Sequence, residues 1–295
     1  MYLRCIVERI CVTKRFVGFS IYTYLTALYG KFIANNIMQN VNIYLNGLLL
    51  CKTTNTLLYL DDILEFRLHG RTSSYIPVFD FLDVVEEGTS YALINKNSST
   101  ITHSLSEYIR YTLSNKLLYF YPQLYCVPRC GIVHRLDKFT MGIIIVAHSL
   151  FMYYNFLENL RNSSVTRVYE TIVHGTLSLG GCINVPIKTC SNTTQRVTTH
   201  VLGKYSITFY CIIKSLINHT YVAVYLGTGR KHQIRVHFSC INYPIVGDIL
   251  YEGADVCCDV SKPVLCARQI IFKNCRNRFV FIFLQVCYGV RMYLS

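Results

Sequence analysis

Ile207-Thr208-Phe209-Tyr210-Cys211-Ile212-Ile213 and Tyr221-Val222-Ala223-Val224-Tyr225-Leu226 are two β-rich runs with only residues 214–220 between them. β-Branched and aromatic side chains suit a pleated, half-buried surface, and turn formers bound each run. The same composition recurs at residues 91–94, 143–146 and 169–173. Helical spacing shows at 152–160, where Tyr153, Phe156, Leu157 and Leu160 share a face. Many strands in succession with few intervening helices predict an α+β fold with a mixed, mainly antiparallel sheet, not a doubly wound parallel one.

Upstream, residues 15–70 form a separate region of helix signals followed by strand signals. Ser20 can cap a helix whose face holds Ile21, Leu25, Leu28 and Tyr29, with Gly30 as its stop. Residues 41–45, the turn pair Asn46-Gly47 and residues 48–51 read as a hairpin, and a further strand is expected at 63–68 after Asp61-Asp62. The expectation is two domains, a small α/β unit at 15–70 and a larger one at 77–295.

Composition narrows the function classes. Of 295 residues 52% are hydrophobic, which excludes global disorder. Lys and Arg number 29 against 16 acidic residues, a net charge of +13 that favours a polyanionic partner, nucleic acid before membrane. The most apolar stretches fall short of the roughly 20 residues of a spanning helix, so no membrane partner is expected. The amino terminus carries Arg4, Arg9, Lys14 and Arg15 with no clean apolar run, so an organelle-targeting role stays open. The 14 cysteines are irregularly spaced and read as reduced, buried thiols of an intracellular protein. Cys126, Cys130 and His134 superficially suggest zinc, but a fourth ligand at matching spacing is missing and Cys257-Cys258 is no C-x-x-C pair, so no metal is expected.

Three segments carry polar chemistry. In Val133-His134-Arg135-Leu136-Asp137-Lys138-Phe139-Thr140-Met141-Gly142, an acid sits between two cations on a loop leading into a buried strand. Such neighbours favour the charged carboxylate, which suits nucleophilic or proton-abstracting work and equally a structural ion pair. In Gly227-Thr228-Gly229-Arg230-Lys231-His232-Gln233-Ile234-Arg235-Val236-His237, a glycine turn opens a basic helix start able to hold a phosphate, or else a solvated surface. In Arg167-Val168-Tyr169-Glu170-Thr171-Ile172-Val173-His174-Gly175, strand alternation puts Tyr169 on one face, as core or as a site residue.

Together these segments resemble the RluA-type pseudouridine synthases, in the same order along the chain. The family's H-R-L-D-x-x-T-S-G element appears at 134–142 with Met141 for serine, and K-x-Y-x-A-x-V-x-G appears at 167–175. T-G-R-x-H-Q-I-R-x-H is intact at 228–237, as is P-I-x-G-D-x-x-Y at 244–251. Asn95-Lys96-Asn97 is similar to the lysine-proline segment with Asn97 for proline, and Leu265-Cys266-Ala267 to L-H-A with Cys266 for histidine. Residues 15–70 are similar to the small alpha-L RNA-binding domain, and 68–78 to the linker of eukaryotic members.

The resemblance implies a catalytic domain with a central cleft that isomerises uridine in structured RNA without metal or external cofactor. Asp137 would be the essential aspartate, attacking or deprotonating the ribose. Tyr169 would stack on the target base, Arg235 would pair with Asp137, and Arg135 would fill the gap left by a flipped nucleotide. Residues expected to touch RNA are Lys96, His134, Arg135, Arg230, Lys231 and His232. The expected partner is ribosomal, transfer or other structured RNA, the protein a monomer, and the compartment cytoplasm or nucleus, with mitochondrion or another organelle open. The main alternative is a catalytically inactive RNA-binding protein or chaperone of the same fold. A metal-dependent hydrolase using His134, Asp137, His232 and His237 is a weaker one, because these residues form no compact ligand motif.

Overall fold

The structure, a computed structural model, describes residues 8–50, 56–68, 76–103, 111–189, 196–253, 262–274, 278–285 and 290–291. Arg4, Cys51, the Cys257-Cys258 pair and residues 69–75 of the linker-like segment lie outside the described residues. The chain divides into two compact units, one of residues 1–94, 101–135 and 144–162, the other of 95–100, 136–143 and 163–295.

The first unit begins with β1 (Glu8–Cys11), α1 (Ile21–Tyr29), α2 (Lys31–Asn40), β2 (Val41–Leu45), β3 (Leu48–Leu49) and β4 (Ile63–Leu68). The strands form an antiparallel sheet in the order β1-β4-β2-β3. Ser20 caps α1 as expected, its Oγ accepting from the Thr23 amide at 3.2 Å, and Gly30 ends it at φ 83°. The buried face is Ile21, Tyr24 and Leu25, whereas Leu28 is 38% exposed. Helix α2, which apolar spacing alone did not reveal, packs against α1 and buries Ile33, Ala34 and Ile37. Asn46 and Gly47 take positive φ, as a two-residue hairpin turn requires. Asp62 locks that turn, accepting from Asn46 Nδ2 at 2.8 Å and from the Tyr59 amide at 2.7 Å.

The same unit holds the antiparallel pair β5 (Val84–Glu87) and β6 (Tyr91–Lys96, up to Ile94), then α3 (Leu113–Phe120) and α4 (Leu150–Arg161). Tyr29 stacks on Phe151 of α4 with ring centroids 4.0 Å apart, so the amino-terminal helices share a core with α4. Strand β7 (Met141–Ala147) begins in the second unit and runs into the first.

The second unit contains β8 (Thr166–His174), β9 (Gly181–Asn184), β10 (Ile187–Thr189), β11 (Val197–Thr199), β12 (Ile207–Leu216), β13 (His219–Leu226), α5 (Gln233–Cys240), β14 (Leu265–Lys273) and β15 (Phe279–Phe283). Its sheet runs β7-β14-β8-β13-β12-β9, with β15 paired to β14. Every pairing in this order is antiparallel except β7 with β14. The mixed, mainly antiparallel α+β class read from the sequence is what the chain adopts. At the parallel seam Gly142 has φ 114°, and a Cβ there would stand 2.2 Å from the Ala267 carbonyl oxygen. Only glycine admits β14 that close. Both faces of central strand β8 are covered, which is why its burial does not alternate.

Candidate active site

The loop from Leu136 to Gly142 carries Asp137, and three features fix its backbone. The Thr140 amide donates to the Asp137 carbonyl at 3.1 Å. Gly142 anchors its far end against β14. Beneath it lies Lys96, 1% exposed, whose ammonium donates to the carbonyls of Asn97 (3.0 Å), Thr100 (2.9 Å) and Lys138 (3.0 Å). A buried ammonium needs such acceptors to offset its lost hydration. Lys96, expected from the sequence to touch RNA, is buried, and its bond to the Lys138 carbonyl helps to hold the Asp137 loop.

Opposite the loop, α5 delivers Arg235 as the third residue of the helix. Its guanidinium donates to Asp248 through Nε at 2.6 Å and Nη2 at 2.7 Å, a two-pronged pair with both residues buried. Its remaining nitrogen, Nη1, stands 3.6 Å from Asp137 Oδ2. Asp137 is therefore within reach of Arg235, but Asp248 takes the short bonds. The guanidinium also lies 5.0 Å from the centre of the Tyr251 ring. Burial pulls the Arg235 pKa down, but hydrogen bonds and charge from Asp248, joined by Asp137 and Tyr251, raise it above its ordinary value.

His232 precedes α5 in the left-handed region, φ 52° and ψ 21°. Its Nδ1 is 3.1 Å from the Tyr251 hydroxyl and its Nε2 is 3.8 Å from Asp137 Oδ2. Burial holds its pKa at about 4, Asp137 raising it and Arg235 and Lys231 lowering it further. The imidazole is neutral at physiological pH, so this approach is no ion pair. Unfolded imidazole takes up a proton near pH 6.5, the folded one only near pH 4. Between those values the unfolded chain binds more protons, so this group's contribution to stability falls as pH drops through that window and is constant above it. Between pH 7.5 and pH 5 the loss should be about 2 kcal/mol. Urea midpoints of wild type and His232→Asn at both pH values test this. An equal drop in both proteins would show that another group is responsible.

Tyr169 sits on β8 between Val224 of β13 and Ala267 of β14, 5% exposed. Burial raises its pKa; Arg167 opposes that, while Asp137 and Cys266 add to it. The phenol thus stays protonated, in electrostatic range of the Asp137 carboxylate. Asp137 itself keeps 19% of its side-chain surface exposed, so a ligand can reach the acid.

His134 belongs to the first unit, where its Nε2 accepts from the Ile145 amide at 3.1 Å and ties the start of the motif to β7. Arg135 is exposed on the same unit. Arg230 is exposed and its Nε donates to the Tyr205 carbonyl at 3.2 Å, and Lys231 is half-buried beside it. Gln233 and His237 serve the fold. Gln233 Nε2 donates to the Ile207 carbonyl and Thr208 Oγ1, and His237 joins Thr208 and the Val185 carbonyl. Cys130 is buried, and burial pushes its thiol up to about 12 against a hydrogen bond with Ser114. Among the described residues no group of three or more His, Cys, Asp or Glu could hold a metal ion. Sequence reasoning gave no role to Asp248 and Tyr251; their only signal was the intact element at 244–251.

Residues 90–240 match the family model described as RNA pseudouridylate synthase. A stretch of 178 residues is 43% identical to the ribosomal large subunit pseudouridine synthase D of Buchnera aphidicola subsp. Acyrthosiphon pisum, covering 60% of this chain and 57% of that one. The protein of the same name from Buchnera aphidicola subsp. Schizaphis graminum is 36% identical over 218 residues, 74% of this chain and 69% of its own. The chain thus spans between just over half and about two thirds of the length of these relatives. Among solved structures, human RNA pseudouridylate synthase domain containing 4 superposes with a TM-score of 0.58 at 20% identity, covering 72% of this chain and 91% of that one, a likeness of fold.

Proposed function

Because the chain belongs to the RNA pseudouridylate synthase family, we propose that it isomerises uridine to pseudouridine in RNA of the large ribosomal subunit, with Asp137 as the essential group. The observation that carries this reading is the reachable Asp137 carboxylate with the buried Arg235 guanidinium 3.6 Å away and neutral His232 beside it. A carboxylate that a ligand can reach beside a guanidinium can attack ribose carbon 1 or take a ribose proton.

In the reaction the bond from ribose carbon 1 to base nitrogen 1 breaks, and ribose carbon 1 joins base carbon 5. The hydrogen on carbon 5 leaves as a proton and nitrogen 1 gains one, so nothing is oxidised or reduced. Asp137 works at the ribose. Arg235, anchored by Asp248, balances the charge of Asp137 without being consumed by it. Tyr169, kept protonated, offers a ring to the uracil and a hydroxyl for proton relay. The nucleotide must leave its stack to expose the glycosidic bond, and Arg135 is the side chain assigned to the gap.

The +13 charge supplies the phosphate attraction, and the α/β region at 15–70 a second RNA contact ahead of the catalytic domain at 77–295. The protein acts as a monomer in the intracellular compartment that holds this RNA. No helix among the described residues is long and apolar enough to cross a membrane. The substrate of the relatives, named for the large ribosomal subunit, is the source of the substrate assignment. Incubation with transcribed large-subunit ribosomal RNA should convert a defined uridine. RNA binding without any pseudouridine would establish the inactive RNA-binding protein instead.

A further inference from the structure

We propose that a basic recess formed by Lys188, Lys204, Arg230 and Lys231 is a subsite for backbone phosphates of the substrate RNA flanking the target uridine. The proposal rests on the RNA-modifying reading and adds a binding site to it. The recess has a volume of about 370 Å³, and its described lining contains these four cations and no acidic residue.

The cations come from three separate segments that are pinned to one another. Lys188 lies on β10. The Lys204 backbone bridges Ile187, each residue's amide donating to the other's carbonyl, at 2.8 Å and 3.0 Å. Gly203 makes that approach possible, since a Cβ there would stand 2.6 Å from the Ile187 carbonyl carbon. The third segment is tied in by the Arg230 Nε bond to the Tyr205 carbonyl at 3.2 Å. A solvated basic surface has no need of such cross-links. Holding like charges together costs free energy that a polyanion returns on binding.

The recess is also placed for the reaction. Ile187 and Val197 in its lining belong to the core cluster that contains Tyr251, against which Arg235 lies. Lys231 is followed directly by His232, whose Nε2 is 3.8 Å from Asp137. A phosphate held by Lys231 is thus bound one residue along the chain from His232, which faces Asp137. Extruding a base costs a few kcal/mol, which flanking phosphate contacts offset.

The test measures equilibrium binding of a transcribed large-subunit ribosomal RNA fragment over a series of KCl concentrations. Lys188→Ala with Lys204→Ala should weaken binding by about tenfold near 0.1 M salt and make the log affinity–log salt slope shallower by roughly 1.4, about 0.7 per lost contact to single-stranded RNA. Lys188→Arg with Lys204→Arg should keep the wild-type slope, which guards against a folding defect. Lys214→Ala with Lys273→Ala removes the same charge from exposed positions outside the recess and should leave the slope unchanged. An unaltered slope in the first variant, or an equal loss in the last, overturns the subsite. Binding is read separately from chemistry, so a wild type that shows these slopes but makes no pseudouridine refutes the activity and leaves the subsite standing. Pseudouridine formation with unaltered slopes does the reverse.

Discussion

Asp137→Asn is expected to lower pseudouridine formation by roughly three orders of magnitude or more while leaving RNA binding and folding intact. The substitution keeps size and shape and removes only the negative charge and its nucleophilicity. Residues that act as a unit in bond making and breaking show losses of this order or greater. Arg235 does not collapse when Asp137 is neutralised, because its short bonds run to Asp248 at 2.6 and 2.7 Å. Release of tritium from carbon 5 of labelled uridine in the RNA measures the reaction, since that position loses its hydrogen when it joins the ribose. Activity within tenfold of wild type would remove Asp137 from the chemistry.

Asp248→Ala should have the largest effect on stability. It strands a buried guanidinium that is left with Asp137 at 3.6 Å. Breaking a buried pair by removing one partner costs about 3–5 kcal/mol. Urea denaturation should show that loss, and activity should fall as Arg235 turns to Asp137 and ties it up. The double variant Arg235→Met/Asp248→Leu replaces the pair by apolar side chains and should recover most of the stability while staying inactive. A loss under about 1 kcal/mol in the single variant would mean that the pair does not organise the site.

Much of the fold could be read locally. Ser20 and Gly30 bracketed α1 because capping is decided within a few residues of the helix end. Asn46-Gly47 marked its turn because so few side chains accept two positive φ values. Strand cores were legible from side-chain type, but their ends were not. Residues 214–216 join β12 only because residues 219–221 pair with them. The short strands β9, β10 and β11 have too few apolar residues to announce themselves. Helix α2 has only a faint sequence signal, because Ile33, Ala34 and Ile37 among asparagines suffice once tertiary packing buries them.

Fold class, family and the chemical types at the site are legible in the residues alone, because motif order and side-chain identity are properties of the chain. Which side chains pair is set by the folded arrangement. Asp248, 13 residues from Arg235, takes the guanidinium's short bonds. Lys96, 42 residues from Lys138, surrenders its charge to the loop of Asp137. Burial turns His232 from a basic-patch residue into a neutral one. Each outcome depends on distance and lost hydration, which vary as the chain folds and which no local pattern of residues encodes.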